Sequence, residues 1–233
     1  MRFLSALKND IRFQVKYGFY FLYAFFSAVY IGVLAMVRPA YRDAVAALVI
    51  LTDPAMLGIF FIGGIWLLER GEGLHRFWCV SPLRPVEYVL SKAVSLAVLS
   101  TVSADLIALV SLGRGVHLAG LSLGVFAGAV VLNLIGLTVV SRARSVNHYL
   151  TVVILPLTAL TAPPVLTAFG FSHPLLEMVP STALWRAIAG SIGLAQGAGG
   201  WLWGVLALWF GLALVWADRR VGDALRAEGG EGR

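Results

Sequence analysis

In a chain of 233 residues of which only 13% are charged, a polar side chain inside an apolar run is the first place to look for chemistry. Asp53, Asp105 and Asn133 are such residues. A carboxylate at the centre of a membrane-crossing helix costs about 2.5–3.5 kcal/mol on insertion scales, so Asp53 and Asp105 could carry protons, hold a cation, or meet the cationic part of a solute moving along an otherwise apolar path. Both fall towards the ends of their apolar runs, where a carboxylate can instead reach the headgroups or pair with Arg38, Arg42 or Arg114. The second candidate is the mixed stretch ERGEGLHRFWCVSPLRPVEYVLSK at 69–92. Within it Leu74, Phe77 and Trp78 share one helix face by their i, i+3, i+4 spacing, with Glu72 and Arg76 four apart on a flank. Ser81-Pro82 and Arg84-Pro85 then end that short helix, because proline lacks an N–H and disfavours helix in the residue before it. An aromatic pair left in water is unfavourable unless lipid or protein covers it, and Arg beside Trp is the composition of an interface hot spot.

Other chemistries find no support in the residues. The chain has one cysteine, Cys79, and its four histidines, His75, His117, His148 and His173, have no partner at ligand or triad spacing. The patterns GxxxxGK[ST] and HExxH are absent. The expectation is a non-enzymatic chain that binds no metal and no cofactor of its own.

The elements that would position these residues follow from hydropathy. With 59% hydrophobic residues and a mean hydropathy of +0.86, the chain reads as an all-α membrane protein. A span takes about 20 residues, which leaves room for six spans and no soluble domain large enough for a nucleotide site. Residues 1–16 place Leu4, Leu7, Ile11 and Val15 on one face with Lys8, Arg12 and Lys16 beside it, an interfacial helix. Spans are expected at 17–37, 44–68, 86–112, 118–140, 148–169 and 201–217, with the polar hinge at 69–85 between the second and third. The fourth carries Gly120, Gly124 and Gly128, a bare face that another helix can approach. Pro156 and Pro163-Pro164 should kink the fifth. The segment 171–200, broken by Pro174 and Pro180, should form two short helices on or in the membrane, the second capped by Ser181 or Thr182. Residues 218–233 should be a disordered tail. No internal repeat divides the chain, so it reads as one domain.

The net charge of +6 sits in clusters at span ends rather than along one face, which argues for topology and against nucleic acid. Of eighteen Lys and Arg, only Arg38, Arg42, Arg114 and Arg186 fall on one side of the six-span arrangement. The other side, with both termini and the hinge, is therefore expected to be cytoplasmic.

The run Glu69-Arg70, Gly73, Ser81-Pro82-Leu83, Glu87 and Lys92 resembles the hinge between spans two and three of ABC-2 type exporter permeases, and SPLRPVEYVLSK is most similar to the fluoroquinolone-exporter type. The chain departs from the usual pattern after the glycine, where Leu74-His75 stand. The resemblance implies a prokaryotic plasma-membrane permease that works as a homo- or heterodimer with separate ABC ATPase subunits, which carry ATP and Mg. It implies that the hinge docks on those subunits as a coupling helix, through Leu74, Arg76, Phe77 and Trp78, with Glu69 and Arg70 at the membrane edge and Gly73 at the turn. It also implies an extracellular re-entrant segment between spans five and six. The substrate pathway would then be mostly apolar, with polar points at Asp53, Asp105 and Asn133, and suited to hydrophobic or amphipathic compounds such as planar drugs. The alternative is a self-contained transporter using Asp53 and Asp105 as proton or cation sites. Such carriers place ionisable groups near the midplane and often show repeats, and this sequence shows neither.

Overall fold

The computed structural model describes residues 2–81, 83–195 and 199–230, and no strand occurs among them. The α-helices in order are α1 (Arg2–Lys16), α2 (Phe19–Met36), α3 (Pro39–Ile50), α4 (Leu57–Gly71), α5 (Leu74–Val80), α6 (Pro85–Leu112), α7 (Leu118–Val140), α8 (Val146–Ala168), α9 (Pro174–Glu177), α10 (Pro180–Ile192) and α11 (Gly200–Gly230). Among the described residues five of these, α2, α6, α7, α8 and α11, are long and apolar enough to cross a membrane. The span expected at 44–68 is not one regular helix. A π-helical turn at Leu51–Ala55 separates α3 from α4, at the point where Pro54 removes a backbone donor from the helical ladder.

The centre of the bundle is the pair α6 and α7, which pack along each other. A row of small hydroxyl residues on α6 lets α1 and α2 approach it closely. Gln14 Nε2 donates to Ser95 Oγ at 2.7 Å, Tyr23 and Ser100 share a hydrogen bond of 2.9 Å, and Ser27 and Ser103 one of 2.6 Å. On α1 the expected apolar face is the outward one, with Leu4, Ile11 and Val15 exposed. Its buried face is Ala6, Asp10 and Gln14, spaced four apart against α6.

The glycine face of α7 is filled by α10, the longer of the two short helices in the 171–200 segment. An added Cβ at Gly124 would lie 2.6 Å from Ala187 Cβ, and one at Gly128 would lie 2.8 Å from a Leu184 methyl. Small residues are what allow this close crossing. Trp185, Ile188 and Ile192 of α10 are all buried. The expected cap is corrected: Val179 precedes the helix and Pro180 occupies its first turn, where a missing N–H costs nothing. Ser181 and Thr182 are instead fully buried inside the bundle, with hydroxyls that meet no partner. The three prolines of α8 lie within one continuous helix.

The tail is also corrected. Helix α11 runs on to Gly230, because Ala213, Ala217, Val221 and Leu225 continue one buried stripe at four-residue spacing, and α11 packs on α7, α6 and α5. Residues 231–233 lie outside the described residues.

Close packing of α4 on α8 makes a direct test. Tyr149 donates to Ile59 O at 2.5 Å, and a Cβ on Gly63 would collide with its ring. Gly63→Ala therefore pushes the ring off its acceptor and is expected to cost about 1–2 kcal/mol. That corresponds to a melting point lower by about 2–4 °C per kcal/mol in purified protein. Unchanged melting would show that α8 does not seat on α4 in this way.

Candidate partner-docking hinge

The hinge is built by three local devices. Helix α4 stops at Gly71, and Gly73 takes φ 71°, a left-handed conformation that any other side chain would strain. Helix α5 then runs only seven residues, and Ser81 closes it by donating to Trp78 O at 3.0 Å. Glu87 Oε2 accepts from the backbone N–H of Arg84 at 2.9 Å, and Pro85 starts α6, an arrangement that satisfies the new helix's first turn.

Behind α5 lies a buried ionic cluster. Lys92 on α6 is fully buried and its Nζ donates to Asp10 Oδ1 at 2.7 Å and to Glu69 Oε1 at 2.5 Å. Tyr88 Oη donates to Glu69 Oε2 at 2.6 Å, and Ser91 Oγ to Asp10 Oδ2 at 2.5 Å. Each carboxylate thus has both oxygens engaged, as burial of charge requires. Burial pushes the Asp10 carboxyl above its usual range, against the pull of Lys92. An aromatic layer covers the cluster. Lys92 Nζ lies 4.6 Å from the centre of the Tyr88 ring, Trp66 meets His75 at 4.2 Å between centroids, and Trp78 meets Tyr88 edge-on at 5.7 Å. His75 Nε2 stands 4.0 Å from Glu69 Oε2. One ammonium therefore joins α1, α4 and α6 directly under α5.

This geometry sorts the residues singled out in the sequence. Arg76 and Phe77 face outward, Phe77 at 61% exposure. Leu74 and Trp78 are half-buried, so the i, i+4 pair of the expected docking face turns towards the bundle, and Phe77 projects beside it. Gly73 supplies the turn. Arg70 Nη1 donates to Ala143 O at 2.9 Å, which ties the hinge to the α7–α8 connection. Glu69 is 2% exposed and is not part of an outward surface, because its charge is held by Lys92. Sequence reasoning missed Asp10 and His75. Asp10 could have been found as the one acid in α1, four residues from Gln14 on the face opposite Leu4 and Ile11.

The three polar points of the expected pathway are not brought together. Asp105 is half-buried and Oδ2 accepts from Ser122 Oγ at 2.7 Å. Asn133 is fully buried, donates to Ala93 O at 3.1 Å and packs where a Cβ on Gly58 would collide with it. Ser122 and Asn133 are separated by about 16 Å along α7. Asp53 falls in the π-helical turn, and its side chain, like that of Arg114, lies outside the described residues.

Two curated relatives are fluoroquinolones export permease proteins of Mycobacterium tuberculosis, one from strain CDC 1551 / Oshkosh and one from strain ATCC 25618 / H37Rv. Each is 28% identical over 181 residues, covering 77% of this chain and 76% of the relative. The sequence profile of a permease family matches residues 1–217, which takes in α1, the hinge with its ionic cluster, α10 and the apolar part of α11. By that match the chain belongs to the fluoroquinolones export permease protein family.

Proposed function

We propose that this chain is the membrane permease subunit of an ATP-driven drug exporter, moving hydrophobic or amphipathic compounds of the fluoroquinolone kind out of the cell. The observation that carries the reading is the cluster at Lys92. It braces a seven-residue helix from behind, through α1, α4 and α6, while Arg76 and Phe77 stay outward. A helix so held is suited to receive force from a partner and pass it to three bundle helices at once. The partner is an ABC ATPase subunit that carries ATP and magnesium, and a second permease completes the path. Asp105 and Asn133 then serve packing within one protomer, with any substrate contact at Asp105 confined to the outer end of α6.

Cysteine labelling in intact cells tests the orientation. In a Cys79→Ser background, Arg42→Cys and Phe171→Cys are expected to react with an impermeant maleimide, and Arg76→Cys only after the membrane is opened. Labelling of Arg76→Cys from outside would overturn both the orientation and the docking role. Co-purification with the ATPase, and drug-stimulated ATP hydrolysis by the reconstituted pair, test the activity itself.

A further inference from the structure

Beside the hinge a cleft of about 220 Å³ opens between α5, the start of α6 and the extended end of α11. Its walls are Trp78, Ser81 and Pro85 with Gly222, and its charged residues are Arg84 and Arg226. The indole N–H of Trp78 is buried and meets no acceptor. On the other side of Trp78 a second hollow of about 290 Å³ is bounded by Arg2, Ser5 and Asn9. Two acids stand near the cleft. Asp223, on the exposed surface, is 3.7 Å from Arg226 Nη1, and Glu87 is engaged by the Arg84 backbone. The lining itself thus carries two arginines and no acid, and the two acids stand at its edge.

Depth selects the ligand. Counting 1.5 Å per residue from Gly200, about 20 residues of α11 cross a hydrocarbon core about 30 Å thick, so Gly222 sits just past its edge, at the level of the headgroups. Gly222 leaves the cleft open. An added Cβ there would lie 3.5 Å from Pro85 and 3.9 Å from Arg226 Nη2, in ordinary contact with both, so a larger side chain at this position would take up part of the cleft. We propose that this cleft binds the phosphate headgroup of an anionic phospholipid, through Arg84 and Arg226, with the Trp78 ring as a wall. The site would fasten the cytoplasmic end of α11 to the hinge, and it rests on the orientation proposed above.

The test uses the full chain without any ATPase, so that its failure is separate from failure of the exporter reading. Protein reconstituted in vesicles of equal phosphatidylglycerol and phosphatidylcholine is extracted in mild detergent, and retained lipid is counted by native mass spectrometry. Wild type is expected to retain phosphatidylglycerol over phosphatidylcholine by about 25-fold, from about fivefold per arginine. Arg84→Gln/Arg226→Gln should fall to parity, and so should Gly222→Leu, which keeps both charges and fills the space. Arg144→Gln, in the α7–α8 connection, should behave as wild type. Parity in wild type, or retention by both altered clefts, would overturn the site. Complete displacement by inorganic phosphate would make the ligand a free phosphate and overturn the lipid assignment.

Discussion

Phe77→Ala is expected to weaken capture of the ATPase subunit by about 2 kcal/mol, or about thirtyfold in Kd, and to reduce export by a similar factor while the permease still inserts at wild-type level. The ring is 61% exposed on the outer side of a short helix, so its removal takes nothing from the core. Trp78→Ala is a different experiment, since its ring meets Tyr88 and walls the cleft against α11. That variant should lose stability as well as partner binding. Measuring both affinity and melting separates the two. If Phe77→Ala binds the ATPase as wild type does, the docking surface lies elsewhere, and the exposed aromatic is a contact with the membrane surface.

What could be read ahead of the structure divides along physical lines. Apolar length and lysine–arginine bias are summed over many residues, so the helical membrane class and the long helices at 118–140 and 201–217 were legible. The glycine spacing of α7 likewise announced a close neighbour, which proved to be α10. Features that depend on one residue's tertiary partner were not legible. Glu69 reads as a membrane-edge charge until Lys92, 23 positions away, is seen to hold it, and Asp10 needs a partner 82 positions away. The break in the second span falls at one proline, Pro54, and takes the form of a π-helical turn rather than a kink. Ser181 and Thr182 satisfy a local capping rule, yet Pro180 starts the helix a step earlier. The tail is a lesson of another kind. The glycines and charges near its end suggested disorder, while the stripe of Ala217, Val221 and Leu225 that makes it a helix was already visible in the sequence.

The largest effect is expected at Lys92. Removing the ammonium in Lys92→Met leaves Asp10 and Glu69, exposed at only 5% and 2%, facing each other without their cation. An uncompensated buried charge of this kind costs about 3–5 kcal/mol, and here two carboxylates lose the same partner. The variant should accumulate poorly in the membrane and, where purified, melt well below wild type. That outcome alone would fit any buried lysine, so the informative protein is Asp10→Asn/Glu69→Gln/Lys92→Met. It has no charge left to strand, and neutral replacements of similar volume often restore a buried ionic site to its former stability. It should therefore insert and melt nearly as wild type does. Amide groups can still accept from Ser91 and Tyr88, which now donate to the carboxylates. The link that the ammonium made between α1, α4 and α6 is gone, however. If that link is what carries force from α5 into the bundle, the triple variant will bind the ATPase through Phe77 with unchanged affinity, yet hydrolyse ATP without a matching rate of export. Full export by the triple variant would reduce the cluster to a packing device. A stable, active Lys92→Met single variant would show that the ammonium does not hold these carboxylates at all.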